Sequence, residues 1–207
     1  MAYDLEEQEQ LDELKAWWKA NGKWVTNVLV GALVAFAAYQ GWHTYQSKQS
    51  NEASTEFQAL QVVGEKDLKA IQAKSAVLMD KYSSTPYAAR AAILAAKANY
   101  QAKEVKSAKA QLEWAAKNAT ESSVSAIATL QLANILAEEK DYEGALKLLD
   151  HTHDAGFDGL FSDLKGDVLL ALGKKAEAKS AYEYALTKLE SSGKYRALTQ
   201  QKLDALG

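Results

Sequence analysis

The segment Asp150-His151-Thr152-His153-Asp154 is the part of the sequence most similar to a metal site. Imidazoles and carboxylates are ordinary zinc ligands, but two ligands on one helix share a face only when they are three or four residues apart. His151 and His153 are two residues apart, so they converge only if the segment is extended after a helix predicted at 142–149. Solvated loop side chains are the simpler interpretation. We predict no metal and no other cofactor.

The sequence contains no arrangement of residues that is typical of other catalytic chemistry. The chain has no cysteine and no G-x-S-x-G nucleophile elbow. His43 lies at the edge of an apolar stretch, where an interfacial ring is the ordinary explanation. Gly156-Phe157-Asp158-Gly159 is a turn, not a phosphate-binding glycine loop. Carboxylates interleaved with lysines, as at 138–141, are typical of solvated helix faces. The sequence therefore predicts a protein that is not an enzyme.

Composition predicts an all-α fold. Apolar residues make up 48% of the 207 residues, the single proline is Pro86, and Ala, Leu, Lys, Glu and Gln are abundant. The net charge of −3 belongs to residues 1–23, whereas residues 48–207 carry 21 charges of each sign. A neutral domain lacks the basic face that nucleic acid requires, so we predict no nucleic-acid partner.

Residues 24–47 contain no Asp, Glu, Lys or Arg and predict a single transmembrane helix. Along an α-helix, Trp24 to Trp42 spans about 27 Å, close to the ~30 Å hydrocarbon core of a bilayer. Aromatic residues lie at both ends, as in an interfacial belt. The predicted anchor residues are Trp24, Val28, Leu29, Leu33, Phe36, Tyr39 and Trp42.

Two alternatives to a membrane anchor stay open. One is a buried helix of a soluble domain, although such helices rarely avoid charge for so long. The other is a cleaved signal peptide, because Ala35-Phe36-Ala37 has the small-x-small form of a cleavage site. Against cleavage, the preceding segment is long and acidic, whereas a signal peptide begins with a short basic region.

The lysines near the span predict its orientation. Lys15, Lys19 and Lys23 precede it, and only Lys48 follows closely, so the N-terminus is expected in the cytoplasm and residues 48–207 on the translocated side of the membrane. Residues 1–23 are predicted to form a cytoplasmic amphipathic tail whose helix ends with a turn or cap at Asn21-Gly22.

Residues 48–207 contain internal repeats with a helix–turn–helix period. The repeat at Gly166, Leu169, Gly173, Ala178, Tyr182 and Ala185 recurs 33 residues earlier and again a further 37 residues earlier. Small residues allow two helices to approach closely, and larger ones fill the space towards the next unit. The predicted packing residues are Ala96, Ala108, Ala133, Ala145, Gly166, Ala178, Tyr182 and Ala185.

This spacing resembles the tetratricopeptide repeat and predicts a helical solenoid. Residues 55–81 resemble a degenerate first unit, with Ala73 and Val77 in its second helix. Thr85-Pro86 is typical of a helix start, and residues 195–206 of a terminal capping helix. One departure is Asn99, which occupies a position that is usually aromatic.

The order of elements narrows the resemblance to one bacterial family. The chain has an acidic tail with paired tryptophans, one span, degenerate repeats and the segment Asp163-Leu164-Lys165-Gly166-Asp167. In this order the features resemble the ancillary SecYEG translocon subunits, tetratricopeptide-like proteins of the inner membrane. That resemblance implies a periplasmic domain beside the translocon exit. It also implies periplasmic folding factors as partners, in particular a membrane-anchored prolyl-isomerase-like chaperone.

The mechanism expected from these features is a scaffold or chaperone-like holdase that acts through protein–protein contacts. The partner-binding face is predicted on the first helices of the units, at Tyr87, Ile93, Tyr100, Leu130 and Asn134. The alternative is an envelope-stress regulator whose cytoplasmic tail tethers a signalling protein. The sequence leaves the oligomeric state open, including a homo-oligomer formed through an open repeat end.

Overall fold

The computed structural model describes residues 2–63 and 67–207, and in those residues all regular structure is helical. The predicted all-α class is confirmed. The helices are α1 (Ala2–Gln61), α2 (Leu68–Lys81), α3 (Pro86–Gln101), α4 (Val105–Asn118), α5 (Ser122–Glu138), α6 (Tyr142–Leu149), α7 (Asp158–Ala171), α8 (Lys175–Lys188) and α9 (Lys194–Asp204). A short 3₁₀ turn at Ala155–Phe157 precedes α7.

The chain divides into two units, residues 1–48 and residues 49–207. Within the first unit α1 is unbroken, so the predicted turn or cap at Asn21-Gly22 is wrong. Asn21 Nδ2 donates to the carbonyl oxygen of Trp17, 3.0 Å away, which uses the amide within the helix. One glycine costs only about 1 kcal/mol of helix propensity. That cost is too small to end a helix whose apolar continuation favours helical backbone.

The second unit is a succession of antiparallel helix pairs. Each helix from α2 to α9 packs against the next, and α3 with α5 and α5 with α7 are also in contact. The first helices α3, α5 and α7 therefore lie side by side, while α4, α6 and α8 back them. This is the architecture that stacked repeats adopt when no single unit buries its own apolar face.

The first pair consists of the last turns of α1 together with α2. Its core contains Ala53 and Leu60 from α1 and meets α3 at Ala91 and Ala95. The buried face of α2 carries Ile71, Ser75 and Leu78. Ala73 and Val77 lie in this second helix, as predicted, and both are exposed.

The repeat positions of the other three pairs lie in the interior. All eight predicted packing residues are buried, and the seven with side chains are at most 1% exposed. Asn99 is also fully buried: its Oδ1 accepts from Gln72 Nε2 and its Nδ2 donates to Gln111 Oε1, each at 2.6 Å. These two bonds join α2, α3 and α4, so a polar network takes the position that is usually aromatic.

The turns inside the last three pairs have the same conformation. Lys103, Lys140 and Gly173 have φ angles of 68°, 67° and 77°. In each turn, the next residue's N–H donates to a carbonyl five residues back, for example Lys174 N to Leu169 O at 2.9 Å. This is the Schellman arrangement that ends many helices. Because these turns are alike, the second helix of each of these pairs begins at an equivalent position.

Gly166 and Tyr182 show how the helices of the last pair fit together. A Cβ atom on Gly166 would lie 2.4 Å from Cε1 of the Tyr182 ring, which is fully buried. Tyr182 OH donates to Asp167 Oδ1 at 2.8 Å, which fixes the ring. In the preceding repeats an alanine faces a leucine in the equivalent positions, Ala133 with Leu149 and Ala96 with Leu112. A smaller residue on the first helix is therefore matched by a larger side chain on the second helix of the pair.

We predict that Gly166→Ala destabilises the protein by about 1–3 kcal/mol, because the new methyl group overpacks against Tyr182. Combining it with Tyr182→Leu recreates the alanine–leucine pair of the other repeats. The double variant should lose at least ~1 kcal/mol less than the sum of the single losses. Urea unfolding of the full-length chain in mild detergent measures these free energies. Strictly additive losses would contradict this account.

Candidate partner-binding groove

A groove of about 430 Å³ lies between α3 and α5. Four of the five residues predicted for the partner-binding face line it: Ile93 and Tyr100 on α3, and Leu130 and Asn134 on α5. Its other lining residues are Leu94, Ala96, Lys97, Gln101, Leu112, Gln131 and Ile135. The apolar side chains are surrounded by amide and hydroxyl groups, a combination typical of binding sites.

One carboxylate ties the two walls of the groove together. Glu138 of α5 accepts the hydroxyl of Tyr100 on one oxygen and Asn134 Nδ2 on the other, the second at 2.9 Å. The hydrogen bond to Glu138, then burial and the negative charges of Glu138 and Glu139, raise the pKa of Tyr100 above its ordinary value. The tyrosine therefore stays a neutral donor, and its ring position is fixed.

Tyr87, the fifth residue of the predicted face, lies elsewhere. Its ring is half-buried in the first helix pair, where it is 5.6 Å from the ring of Phe57 and packs against the cluster that contains Ala53 and Leu60. The structure therefore brings four of the five predicted residues together and leaves Tyr87 in the interior of a neighbouring unit.

A second hollow, which the sequence did not predict, adjoins the groove. It has a volume of about 300 Å³ and is lined by Leu60, Gln61, Val63, Ile71, Leu94, Lys97, Ala98 and Gln101. Leu94, Lys97 and Gln101 line both hollows. They recur at i, i+3 and i+7 on α3 and therefore share one face of that helix. We call the two hollows together the α3 groove.

The side chains of the candidate metal segment have other partners. Asp150 Oδ1 pairs with Lys165 Nζ at 2.6 Å. Asp154 Oδ1 accepts from Gly156 N at 2.9 Å, and its Oδ2 accepts from Ser122 Oγ at 2.8 Å. These two bonds lower the pKa of Asp154, the backbone bond having the larger effect. The carboxylates thus act as structural ties between this loop, α5 and α7.

The two histidines of that segment also diverge. The ring of His153 stacks on Phe161, with the ring centroids 3.6 Å apart and the planes 8° from parallel, while His151 is exposed. His153 Nδ1 lies 2.8 Å from the carbonyl oxygen of His151. Among the described residues, no group of three or more His, Asp or Glu side chains is arranged to hold a metal ion.

The Asp163–Asp167 segment holds the terminal helix in place. Lys202 Nζ of α9 lies 2.8 Å from Asp163 Oδ2 and 2.7 Å from Asp167 Oδ2. Thr199 Oγ1 donates to Asp163 Oδ1 at 2.8 Å. Burial alone would lower the pKa of Lys202, but the hydrogen bonds and charges of the two aspartates outweigh it and raise that pKa. Two carboxylates one helical turn apart therefore hold α9 against α7.

The predicted anchor residues lie in the first unit on α1. This helix is long and apolar enough to cross a membrane, with a mean hydropathy of 1.3 over its most apolar window. None of that window is buried, and the seven predicted anchor side chains are 51–69% exposed. Apolar side chains exposed on all sides of a helix are typical of a membrane span and not of a core helix. His43 lies beside Tyr39, with the ring centroids 6.2 Å apart.

Comparison with known proteins agrees with this architecture. Residues 15–207 match the family model of the tetratricopeptide repeat-like domain. The class defined by the repeats and the groove is therefore that of tetratricopeptide-repeat-like proteins.

Curated relatives define the particular family. The chain is 33% identical over 210 residues to the ancillary SecYEG translocon subunit of Neisseria gonorrhoeae, with all of both chains covered. It is 28% identical to the protein of that name from Haemophilus influenzae, over 89% of this chain and 91% of the relative. For Escherichia coli the identity is 27%, over 86% and 85% of the two chains. The chain belongs to the family of ancillary SecYEG translocon subunits.

We predict that Lys202→Met loosens α9, because Asp163 and Asp167 lose their shared cation. The loss, reduced by the partial exposure of Lys202, should be about 1–2 kcal/mol. Amide hydrogen exchange should show it first in α9. Lys194→Met removes an exposed lysine from the same helix and should change stability by no more than about 0.5 kcal/mol.

The contribution of Lys202 should also depend on pH. Because the folded-state pKa of Lys202 is raised, its contribution is complete below the ordinary lysine pKa of about 10.4 and is lost as the pH rises through the folded value. The stability difference between the parent protein and Lys202→Met should therefore shrink above pH ~10.4. A difference that stayed constant there would refute the ion-pair explanation.

Proposed function

We propose that this protein is a non-enzymatic, membrane-anchored accessory of the SecYEG translocon that holds other proteins in the α3 groove. The observation that carries the proposal is the open groove of about 430 Å³ between α3 and α5. Its apolar lining with polar edges suits protein–protein contact. The names of the relatives from Neisseria gonorrhoeae, Haemophilus influenzae and Escherichia coli support the translocon as the assembly concerned.

The proposed orientation places residues 1–23 in the cytoplasm and residues 48–207 in the periplasm, with residues 24–47 spanning the inner membrane. The three lysines that precede the span support it. In this orientation the groove meets segments that leave the translocon. The proposed role is to hold such segments and transfer them to periplasmic folding factors, among them a membrane-anchored prolyl-isomerase-like chaperone.

Topology can be tested directly because the sequence contains no cysteine. We predict that a membrane-impermeant maleimide labels Ser192→Cys in intact spheroplasts and labels Gln8→Cys only after the membrane is permeabilised. The opposite pattern would overturn the proposed orientation. Mass spectrometry of the same protein reports the N-terminus, and a new terminus near Ala38 would overturn the anchor in favour of a cleaved signal peptide.

Partner contact can be tested with a photo-crosslinking residue in place of Leu94 or Asn134, which are exposed in the groove. We predict crosslinks to translocon subunits or periplasmic folding factors in native membranes. The same residue in place of Lys147, exposed on α6 outside the groove, should give none of these products. Equal products from both positions would show that the groove is not the binding face.

The regulatory alternative rests on the exposed stripe of Leu11, Leu14 and Trp18 on the acidic tail. Deletion of residues 2–18 separates the two functions. A translocon accessory that works through its groove should retain its crosslinks, whereas a tether for a cytoplasmic signalling protein should lose its partner.

A further inference from the structure

We propose that the α3 groove binds an uncharged, extended polypeptide segment, and that it does so chiefly through the main chain of that segment. This inference rests on the proposed function and specifies the chemistry of its binding site. Three observations support it: the length of the groove, the side-chain amides on its walls and its low charge.

The length of the groove fits a short extended segment. One hollow lies between the end of α1, α2 and α3, and the other lies between α3 and α5. They meet at Leu94, Lys97 and Gln101, so the groove crosses α3. Packed helices are about 8–10 Å apart, and two such spacings give roughly 16–20 Å. At ~3.3 Å per residue, this accommodates about five or six residues of an extended chain.

Carboxamide side chains occur on both sides of this path. Gln101 on α3 and Gln131 on α5 are both exposed lining residues. Within the described part of the chain neither of these two side chains makes a hydrogen bond. Asn134 uses Nδ2 to bind Glu138, which leaves its carbonyl oxygen as an acceptor. A carboxamide carries both a donor and an acceptor, the same pair that each peptide unit presents.

This donor–acceptor match favours an extended occupant over a helical one. A helix satisfies its main-chain N–H and C=O groups internally, whereas an extended segment presents them to its surroundings. The apolar residues between the carboxamides, such as Ile93, Leu94 and Leu130, would bury the small apolar side chains of the segment. Recognition through the main chain would make the groove tolerant of sequence, as a protein that holds many clients requires.

The charge of the groove argues against a terminal carboxylate or an acidic motif as the occupant. Of the described residues that line the two hollows, Lys97 is the single charged one. The adjacent carboxylate of Glu138 is already bound by Tyr100 and Asn134. Recognition of acidic motifs relies on clusters of cationic side chains. The α3 groove has no such cluster, so an uncharged segment fits it best.

The test measures fluorescence anisotropy with the full-length chain in nanodiscs. The probe is a labelled peptide of about nine residues made of valine, threonine and alanine, long enough to cover the groove. A second peptide has the same side chains but N-methyl groups on alternate main-chain nitrogens. We expect the first to bind and the N-methylated one to bind about tenfold more weakly, because its main-chain donors are blocked.

Variants then assign the binding to the groove. Gln101→Met and Gln131→Met keep the length of the side chain and remove its carboxamide. Together they should weaken binding of the first peptide about tenfold. Gln201→Met, at an exposed position of α9 outside the groove, should leave binding unchanged. Leu94→Glu should abolish binding, and circular dichroism should confirm that each variant keeps its helical content.

Several outcomes would overturn the inference. Equal affinity for the two peptides would exclude main-chain recognition, and binding that survives Leu94→Glu would exclude the groove. A self-associating chain that becomes monomeric with Leu94→Glu but binds no peptide would assign the groove to a second copy. A different result would refute the proposed function alone. In that case the peptide binds, but crosslinking residues in the groove form no crosslinks to translocon subunits or folding factors in membranes.

Discussion

Close approach of paired helices across an alanine or glycine is the constraint on which the unit of residues 49–207 depends. Ala96, Ala133 and Gly166 occupy equivalent positions, and each is buried beside the second helix of its pair. A larger residue at any of them would separate the two backbones, and each later unit would then be displaced. The identity of the facing residue follows from this constraint, since Tyr182 fits only because Gly166 has no Cβ atom.

The groove is a consequence of the same packing. Because α4 and α6 occupy the back of their pairs, α3 and α5 meet each other directly and expose the faces between them. The residues on those faces need not pack within a pair, so Leu94, Gln101 and Gln131 can remain exposed. Of the packing residues on α3 and α5, Ala96 also lines the groove, whereas Ala133 does not. Substitutions of the exposed groove residues should accordingly affect partner binding more than folding.

The features that the sequence predicted best are those that a single helix or a fixed residue spacing determines. The all-α class follows from composition, and equivalent positions at steps of 33 and 37 residues identify the turns at Lys103, Lys140 and Gly173. The degenerate first unit was also located, since Ala73 and Val77 lie in its second helix α2. The sequence placed Tyr87 on the wrong face and did not predict the second hollow, and both have the same cause. Which side of α3 meets the end of α1 depends on packing between units, and spacing within α3 alone does not reveal it.

The loop that first suggested chemistry shows why residue type alone is a poor guide to catalysis. Each carboxylate and one imidazole of 150–154 has a structural partner: Lys165 for Asp150, Ser122 for Asp154 and the ring of Phe161 for His153. A short polar loop between helices must satisfy its own backbone and dock on its neighbours, and aspartate and histidine do this well. Glutamine and asparagine in the α3 groove show the converse. They carry no catalytic group, but their amides face an open surface, where the proposed binding of other proteins would use them.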